Sequence, residues 1–509
     1  MVNVKLLKGI EAKPINLALG AARSCYSNNL VTIDDEYAYV GDKVILRKEE
    51  TLEGIRSSTL KAGHNTTRQH ASFTFLLDGV SRQAIWSFLH SHPFYNSEQV
   101  SQRYVAMKSG NFTVPESFTD EQRVIFEDTV NSSFAAYTTL NELLRADVKA
   151  AYFSRFPARR KQEGNWDSAI GKKVQEISRY ILPVATHAHL YHTVSVLTLM
   201  RMNQVADLFN IPAEQRQIVN RMVDLVCQED HDFRKDLEDL VIYDLESSPE
   251  FRIMKLHQDM NVSRKFKEGF DQALDGRVSK LTDYSVNGER SLANAVRAVL
   301  QVPESKLSDE QALDYLLNPA LHPAVAETNN VNTLTKLGSA LTAVNYSFQK
   351  KLSHSGDSQN QRHRMTPGVA PIFVVGEEPD LVLPELIKEN EQVKEYFLQE
   401  AGKAWGAMNR LREMGATEDA VQYLAPNAIA VRLIESGNLR DLHHKYRMRL
   451  CLNAQEEIWR ASEDEVEQIT AVHPIIGKYL QPPCVLRKMA DAKPACPEGA
   501  RYCGVPVWK

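Results

Sequence analysis

The sequence predicts an α+β fold laid out twice along one chain. Two observations within each half carry that expectation. Residues 2–7 and 69–77 (QHASFTFLL) alternate polar and apolar side chains, the period of a strand with one face buried. Segments such as 120–144 and 385–413 have helical length and character. A third observation is the restart: a strand, a polar motif and long helices run in the same order before residue 236 and again after residue 280.

The elements follow in sequence. A strand at 2–7 is followed by a helix at 51–62, closed by Gly63. After the strand at 69–77, Gly79-Val80-Ser81-Arg82 turns into a short helix with Ser81 as its cap. Helices are expected at 120–144, 168–181, 186–209 and 213–227, with Pro183 and Pro212 as punctuation. Residues 236–283 are rich in charge and show no clear period. The second half predicts helices at 290–300 and 309–317, a strand at 341–352, a helical stretch at 385–413 opened by Pro384, and a helix at 428–461. The tail from 474 is rich in Pro, Cys and Gly and repeats nothing earlier. The expected division is 1–235 for the first repeat, 236–279 for a linker, 280–465 for the second repeat and 466–509 for the tail.

Bulk properties exclude several classes. The chain has 509 residues, 43% hydrophobic and 25% charged, ordinary for a globular protein with a sizeable core. A net charge of −5 argues against a nonspecific nucleic-acid coat, so anion binding must come from local Arg clusters. No apolar run approaches the ~18 residues of a membrane span. The start MVNVKLLK lacks the apolar core of a signal peptide. Six cysteines in so long a chain point to a reducing compartment, and a cytoplasmic location is expected.

Two polar motifs complement each other across the repeats. The first half holds Ser97-Glu98-Gln99-Val100-Ser101-Gln102-Arg103-Tyr104, and the second holds Gln359-Asn360-Gln361-Arg362-His363-Arg364. Together they resemble the signature of the flavin-dependent thymidylate synthases, in which Arg-His-Arg precedes a Ser-x-Arg-Tyr loop. Other segments extend the resemblance over roughly 1–235 and 280–460. His64, Thr66 and Gln69 fall on the family's His-x-Thr-x-x-Glu-His segment, with Gln69 at the acidic position. Asn438, Arg440, Arg449, Gln455 and Glu457 follow the pattern of its last helix, while the family His there is Asn453. At ~100° per residue, Asn438 and Arg449 fall on one helix face, and Arg440 stands about 180° from Arg449. Each repeat also departs from the pattern. The first has His90-Ser91-His92 in place of Arg-His-Arg and Ser195, Leu197 and Ala206 in place of an Asn and two Arg. The second replaces the Ser-x-Arg loop with Met365-Thr-Pro-Gly-Val-Ala-Pro. The family builds each site from several subunits, and the losses fall along that division, which favours one composite site per pair of repeats over general decay.

The resemblance implies a fold and a chemistry. The fold is two tandem domains, each a twisted, mostly antiparallel sheet with long helices, forming a pseudo-dimer, so that a homodimer of this chain mimics the family tetramer. The chemistry is transfer of a one-carbon unit from methylenetetrahydrofolate to C5 of dUMP, with FAD as cofactor and NADPH as reductant. Catalysis is expected of Arg449, Ser101 and Arg103. Nucleotide binding is expected of Gln359, Arg362, Gln99, Ser101, Gln102, Arg103, His189 and Arg449, because a phosphate needs charge-assisted donors in fixed geometry. Flavin binding is expected of His64, Thr66, Gln69, Arg362, His363, Arg364, Asn438, Arg440, His444 and Asn453. Arg449 would polarise the uracil carbonyl as charge builds on the ring. Flavin-dependent modification of another pyrimidine nucleotide, or binding without catalysis, remain alternatives. A membrane or nucleic-acid partner is not expected.

Several residues carry simpler readings. His90 and His92 read as relics or interface residues. His189 and His192 read as neighbours on a helix face between repeats. Cys484, Cys496 and Cys503 are either reduced thiols of an ordered tail or, with His473 or Cys451, a structural zinc site.

Overall fold

The structure is a computed structural model that describes residues 3–7, 13–24, 27, 31–34, 37–40, 43–61, 63–90, 94–208, 211–239, 249, 260–499, 502–503 and 505. It is a mixed helix and sheet architecture in which each half is built around a four-stranded antiparallel sheet. In the first half the order is Asn3–Leu7, Ser72–Ser81, His187–Ser195, Asn96–Gln99. In the second it is Ser279–Tyr284, Asn345–Ser353, Ala430–Asn438, Gly368–Val369. Strand for strand, the two orders are the same. A helix follows the second strand of each sheet (Arg82–His90 and His354–Asn360), and another follows the long last strand (Val196–Val205 and Leu439–Arg449). A smaller three-stranded sheet spans Val31–Ile33, Tyr37–Val40 and Lys43–Arg47.

Two expected helices begin as strands. Residues His187–Ser195 and Ala430–Asn438 lie in the sheets, and helices start only after them. Ala188, Leu190, His192 and Val194 point inward in strict alternation, the pattern of a strand with one buried face. The helices begin where Ser195 and Asn438 accept from the backbone N–H of Thr198 (3.2 Å) and Asp441 (3.2 Å), so both are N-caps at equivalent positions. The stretch expected as one helix over 428–461 is therefore a strand, the helix Leu439–Arg449, a turn, and the helix Glu456–Val472. The helical stretch expected at 385–413 divides at Asn390, which caps Glu391–Glu413. Within the charged 236–283 segment, Met260–Leu274 is a helix and Ser279–Tyr284 is already a sheet strand. Gly79 (φ +69°) sits in the bulge between Leu77 and Val80, where a left-handed residue re-aims the strand toward Ser81.

The halves are welded by a shared helical core. Helix Asp120–Leu143 lies against Glu391–Glu413. Phe126, Val130, Phe134 and Leu140 from the first join Phe397, Ala401, Trp405 and Met408 from the second in one buried cluster. Beside it, residues 180–185 and 423–428 run antiparallel. Val184 and Ala185 donate to the carbonyls of Ala425 (2.8 Å) and Tyr423 (3.0 Å), and Asn427 and Ala428 donate to those of Leu182 (2.8 Å) and Tyr180 (2.9 Å). Pro183 faces Pro426 at the centre, where neither residue has an N–H to leave unpaired. A second contact sets Trp86 into an apolar cluster with Leu352, Val431, Leu433 and Ile458. Its indole N–H donates to Asp357 (2.9 Å), which also pairs with His90 (3.0 Å). His90 is thus an interface residue, while His92 lies outside the described residues. His192 is buried between Phe88 and Tyr95, with ring centroids at 4.5 and 5.6 Å. His189 is exposed on the opposite strand face, so the two do not share a helix surface.

The weld generates two expectations. Phe397→Ala empties a fully buried site in the shared core. It should cost about 3–5 kcal/mol, read as a lower urea midpoint. Burial opposes charge on His90, but Asp357 more than offsets it and holds the imidazole above its usual 6.5. The stabilisation is complete below pH 6.5 and is lost as pH rises through the raised value. The Tm difference between the natural chain and His90→Gln should be largest near pH 6 and shrink steadily toward pH 9, and a difference that grows with pH would contradict the pairing.

Candidate functional site

An open cleft of about 790 Å³ lies where the two halves face each other. The first half lines it with Gln69, Ser72, Phe94, Tyr95, Asn96 and the strand end Thr193–Ser195. The second lines it with Arg362, His363, Arg364, Met365, Thr366, Arg440, Asp441, His444 and the loop residues Asn330, Thr333 and Leu334. Arg362-His363-Arg364 reaches the cleft because helix His354–Asn360 ends just before it. The preceding Gly356 permits that helix to press on Glu457, since a Cβ there would lie 2.6 Å from the Glu457 carboxyl carbon. Arg364 donates to the Asn96 side chain (2.7 Å) and covers the Tyr95 ring at 5.3 Å. His363 and His444 meet edge to face at 5.8 Å. Burial, followed by the charges of Arg449 and Lys445, holds His363 well below the usual imidazole range, so it is neutral at pH 7.

Behind the cleft the two motifs touch. Arg362 donates to the Gln99 carbonyl (3.4 Å). Arg103 ion-pairs with Glu176 and donates to the Asn453 carbonyl (2.8 Å). Arg449 donates to the Gln359 carbonyl (2.9 Å). With its amide turned to satisfy its neighbours, Gln359 accepts from Arg103 (3.1 Å) and Arg449 (3.2 Å) and donates to Gln455 (3.1 Å). Gln455 also accepts from Arg179 (2.7 Å) and donates to the Tyr180 hydroxyl (2.6 Å), which donates to Glu457 (2.5 Å). Gln102 accepts from Asn427 (3.2 Å). Arginines of both halves thus share one side-chain amide.

Positive charge is in excess there. Arg103, Arg179 and Lys173 act on Glu176, Arg179 acts on Glu457, and Arg82, Arg362 and Arg449 add further charge through Arg179 and Arg103. Burial, then repulsion from Arg362 and Arg103, lowers Arg449 to about 10. Burial, then Arg179 and Arg362, lowers Arg82 to about 9. Burial resists ionisation of Glu176, but Lys173, Arg103 and Arg179 bring it to about 2, so its charge is secure. Burial raises Glu457, which favours its neutral form. Buried Nε atoms of Arg82 and Arg449 and Nε2 of His363 have no hydrogen-bond partner. Desolvated, mutually repelling guanidinium groups with unused donors suit an anion. By contrast, the buried cluster Lys350, Glu435, Lys445 and Glu465 is balanced two against two, and Glu435 accepts from Asn360 (2.8 Å) beneath the Arg-His-Arg turn.

The expected site residues divide into groups. Gln69, Arg362, His363, Arg364, Arg440 and His444 line the cleft. Gln99, Gln102, Arg103, Gln359, Arg449 and Asn453 form the inner cluster, and the Ser101 hydroxyl accepts from the Arg103 backbone N–H (3.2 Å). Asn438 spends both side-chain atoms on Asp441, as a cap. Arg440 lies in the first turn of its helix. His64, which precedes the short helix Asn65–Gln69, and Thr66, within it, are exposed and outside the cleft lining, as is His189. Sequence reasoning missed Tyr95 and Asn96, which sit between His90-Ser91-His92 and the Ser97–Tyr104 motif, and Arg82 and Arg179, whose role depends on burial that spacing does not reveal.

Comparison with known proteins finds one family in both halves. The family model described as thymidylate synthase complementing protein matches residues 7–230 and 280–475, one stretch in each half. The chain is similar to the flavin-dependent thymidylate synthase of Clostridium tetani, 26% identical over 226 residues, which are 44% of this chain and 81% of that protein. The enzyme of that name from Sulfolobus acidocaldarius is 24% identical over 216 residues, 41% of this chain and 78% of its own length. That of Nitratidesulfovibrio vulgaris is 25% identical over 219 residues, with shares of 43% and 79%. Each relative is thus matched over most of its length by less than half of this chain. With matches in both halves that together exceed half of the sequence, the chain belongs to the thymidylate synthase complementing protein family.

Proposed function

We propose that this chain is a flavin-dependent thymidylate synthase with one composite site, transferring a one-carbon unit reductively from methylenetetrahydrofolate to C5 of dUMP. The observation that carries this reading is the Gln359 amide, which takes Arg103 of one half and Arg449 of the other. In this reading the division into repeats at 1–235 and 280–465 is functional, and the two form a pseudo-dimer. The chemical fit is good. The cleft volume lies within the ~300–1,000 Å³ of small-molecule sites. Tyr95, His363 and His444 offer ring surfaces, and Arg364 and Arg440 offer donors for flavin phosphates. Bound FAD would supply the hydride, which NADPH restores.

The chain's own groups then bind and polarise. Arg103, Arg362 and Arg449 anchor the nucleotide, with Ser101 and Gln102 holding the loop that carries Arg103. Arg449, already repelled by its neighbours, gains most from an anion and stabilises charge that builds on the uracil ring. Neutral His363 orients without competing for the proton. By the same reading a homodimer supplies four domains, and a monomeric mass in solution would remove that part.

Purified protein should show a flavin spectrum that shifts on titration with dUMP. Arg364→Ala should lose the flavin. Arg449→Ala should keep it and weaken dUMP binding ~10–100-fold, the value of one charge-assisted contact. Colourless protein that takes up no FAD would overturn the reading. Flavin binding without turnover of dUMP, methylenetetrahydrofolate and NADPH would leave a binding protein in its place.

A further inference from the structure

Four of the six cysteines in the sequence line one small cavity. They come from three separate places. Cys451 lies in the turn after helix Leu439–Arg449, Cys484 at the start of helix Pro483–Met489, and Cys496 and Cys503 in the closing loop. All four are free and half-buried. His473, the other residue expected near them, is elsewhere: its Nδ1 meets the Tyr346 hydroxyl at 2.8 Å in the second-half core. The cavity is about 20 Å³, room for one water-sized body. The loop around it is anchored at two points. Arg487 donates to the Pro494 carbonyl (3.0 Å), and Arg159 of the first half donates to the Tyr502 carbonyl. The family match ends at residue 475, so three of the four thiols belong to a segment outside it.

We propose that Cys451, Cys484, Cys496 and Cys503 bind one structural zinc ion. Four thiols around a cavity of single-ion size match a tetrahedral all-sulfur site, with Zn–S near ~2.3 Å. Among the described residues no group of three or more His, Cys, Asp or Glu stands in metal-holding geometry. Binding therefore requires the four thiols to draw inward, which would tie the turn at Cys451 to the helix Pro483–Met489 and the closing loop. Each thiol gives its proton to solvent, and no electron is transferred. The ion would act on the site through Cys451, two residues from Arg449 and two from Asn453, whose carbonyl receives Arg103. The tail would then tether the turn on which both halves of the anion site meet.

The test is metal analysis of the full chain, purified without chelator from zinc-supplemented culture. About one zinc per chain is expected, as for a closed structural site. It should survive gel filtration and fall below about a tenth in Cys484→Ser and in Cys503→Ser. Cys227→Ser, a buried thiol of the first-half core, should leave it unchanged. As a check that does not depend on variant folding, replacement by cobalt in the natural chain should give the intense thiolate-to-metal absorption of a tetrahedral sulfur site. Protein with no zinc and four freely reactive tail-region thiols would overturn the proposal. So would zinc that persists in both serine variants, or cobalt bound without thiolate absorption.

Discussion

Residues 180–185 and 423–428 exchange four backbone hydrogen bonds of 2.8–3.0 Å, and the polar architecture between the halves is referred to this short antiparallel pairing. Each bond is worth only about 1 kcal/mol net. Their value is geometric, because backbone pairing fixes register in a way that side-chain packing does not. Tyr180 and Arg179 lie at one end of the pairing and Asn427 near its middle. From there hydrogen bonds pass to Gln455, Glu457 and Gln102. The Ser101–Arg103 loop is thereby set against Gln359 and Asn453. A slip of one residue would turn each of these side chains away from its partner.

Two buried charge clusters show how the fold separates support from function. Lys350, Lys445, Glu435 and Glu465 neutralise one another at 1% exposure or less, and against the effect of burial the two lysines hold Glu435 below the usual carboxylate range. Removing one member would strand its partner in a dry interior. The arginine cluster lacks such balance: Arg103 and Arg179 act on Glu176 beside Lys173, Arg82, Arg362 and Arg449 add charge nearby, and burial pushes Glu457 toward neutrality. The balanced cluster supports the Arg-His-Arg turn through Asn360, and the unbalanced one carries surplus positive charge.

Much of this was legible in the sequence where identity and spacing sufficed. Arg362, His363, Arg364, Arg103 and Arg449 were marked by motif order, and the structure brings them to one cleft and one cluster. What the sequence hid depended on period and on burial. Residues 187–195 and 430–438 contain apolar side chains close enough together to suit either a helix or a strand, and only pairing with Ser72–Ser81 and Asn345–Ser353 decides between them. The capping role of Asn438 is hidden for the same reason, since a cap cannot be recognised until the helix start is placed. Tyr95, Arg82 and Arg179 gain their meaning from neighbours distant in sequence.

The same weld changes how the site responds to dilution. Were the two halves separate chains, the Gln359 junction would exist only while they were associated, and falling concentration would take it apart. Joined in one polypeptide, each half meets the other at an effective concentration set by the chain itself, whatever the abundance of the protein. A site that straddles the repeats is then a property of the single molecule, and each half is free to differ from the other, as Ser195 differs from Asn438 and His90 from Arg362.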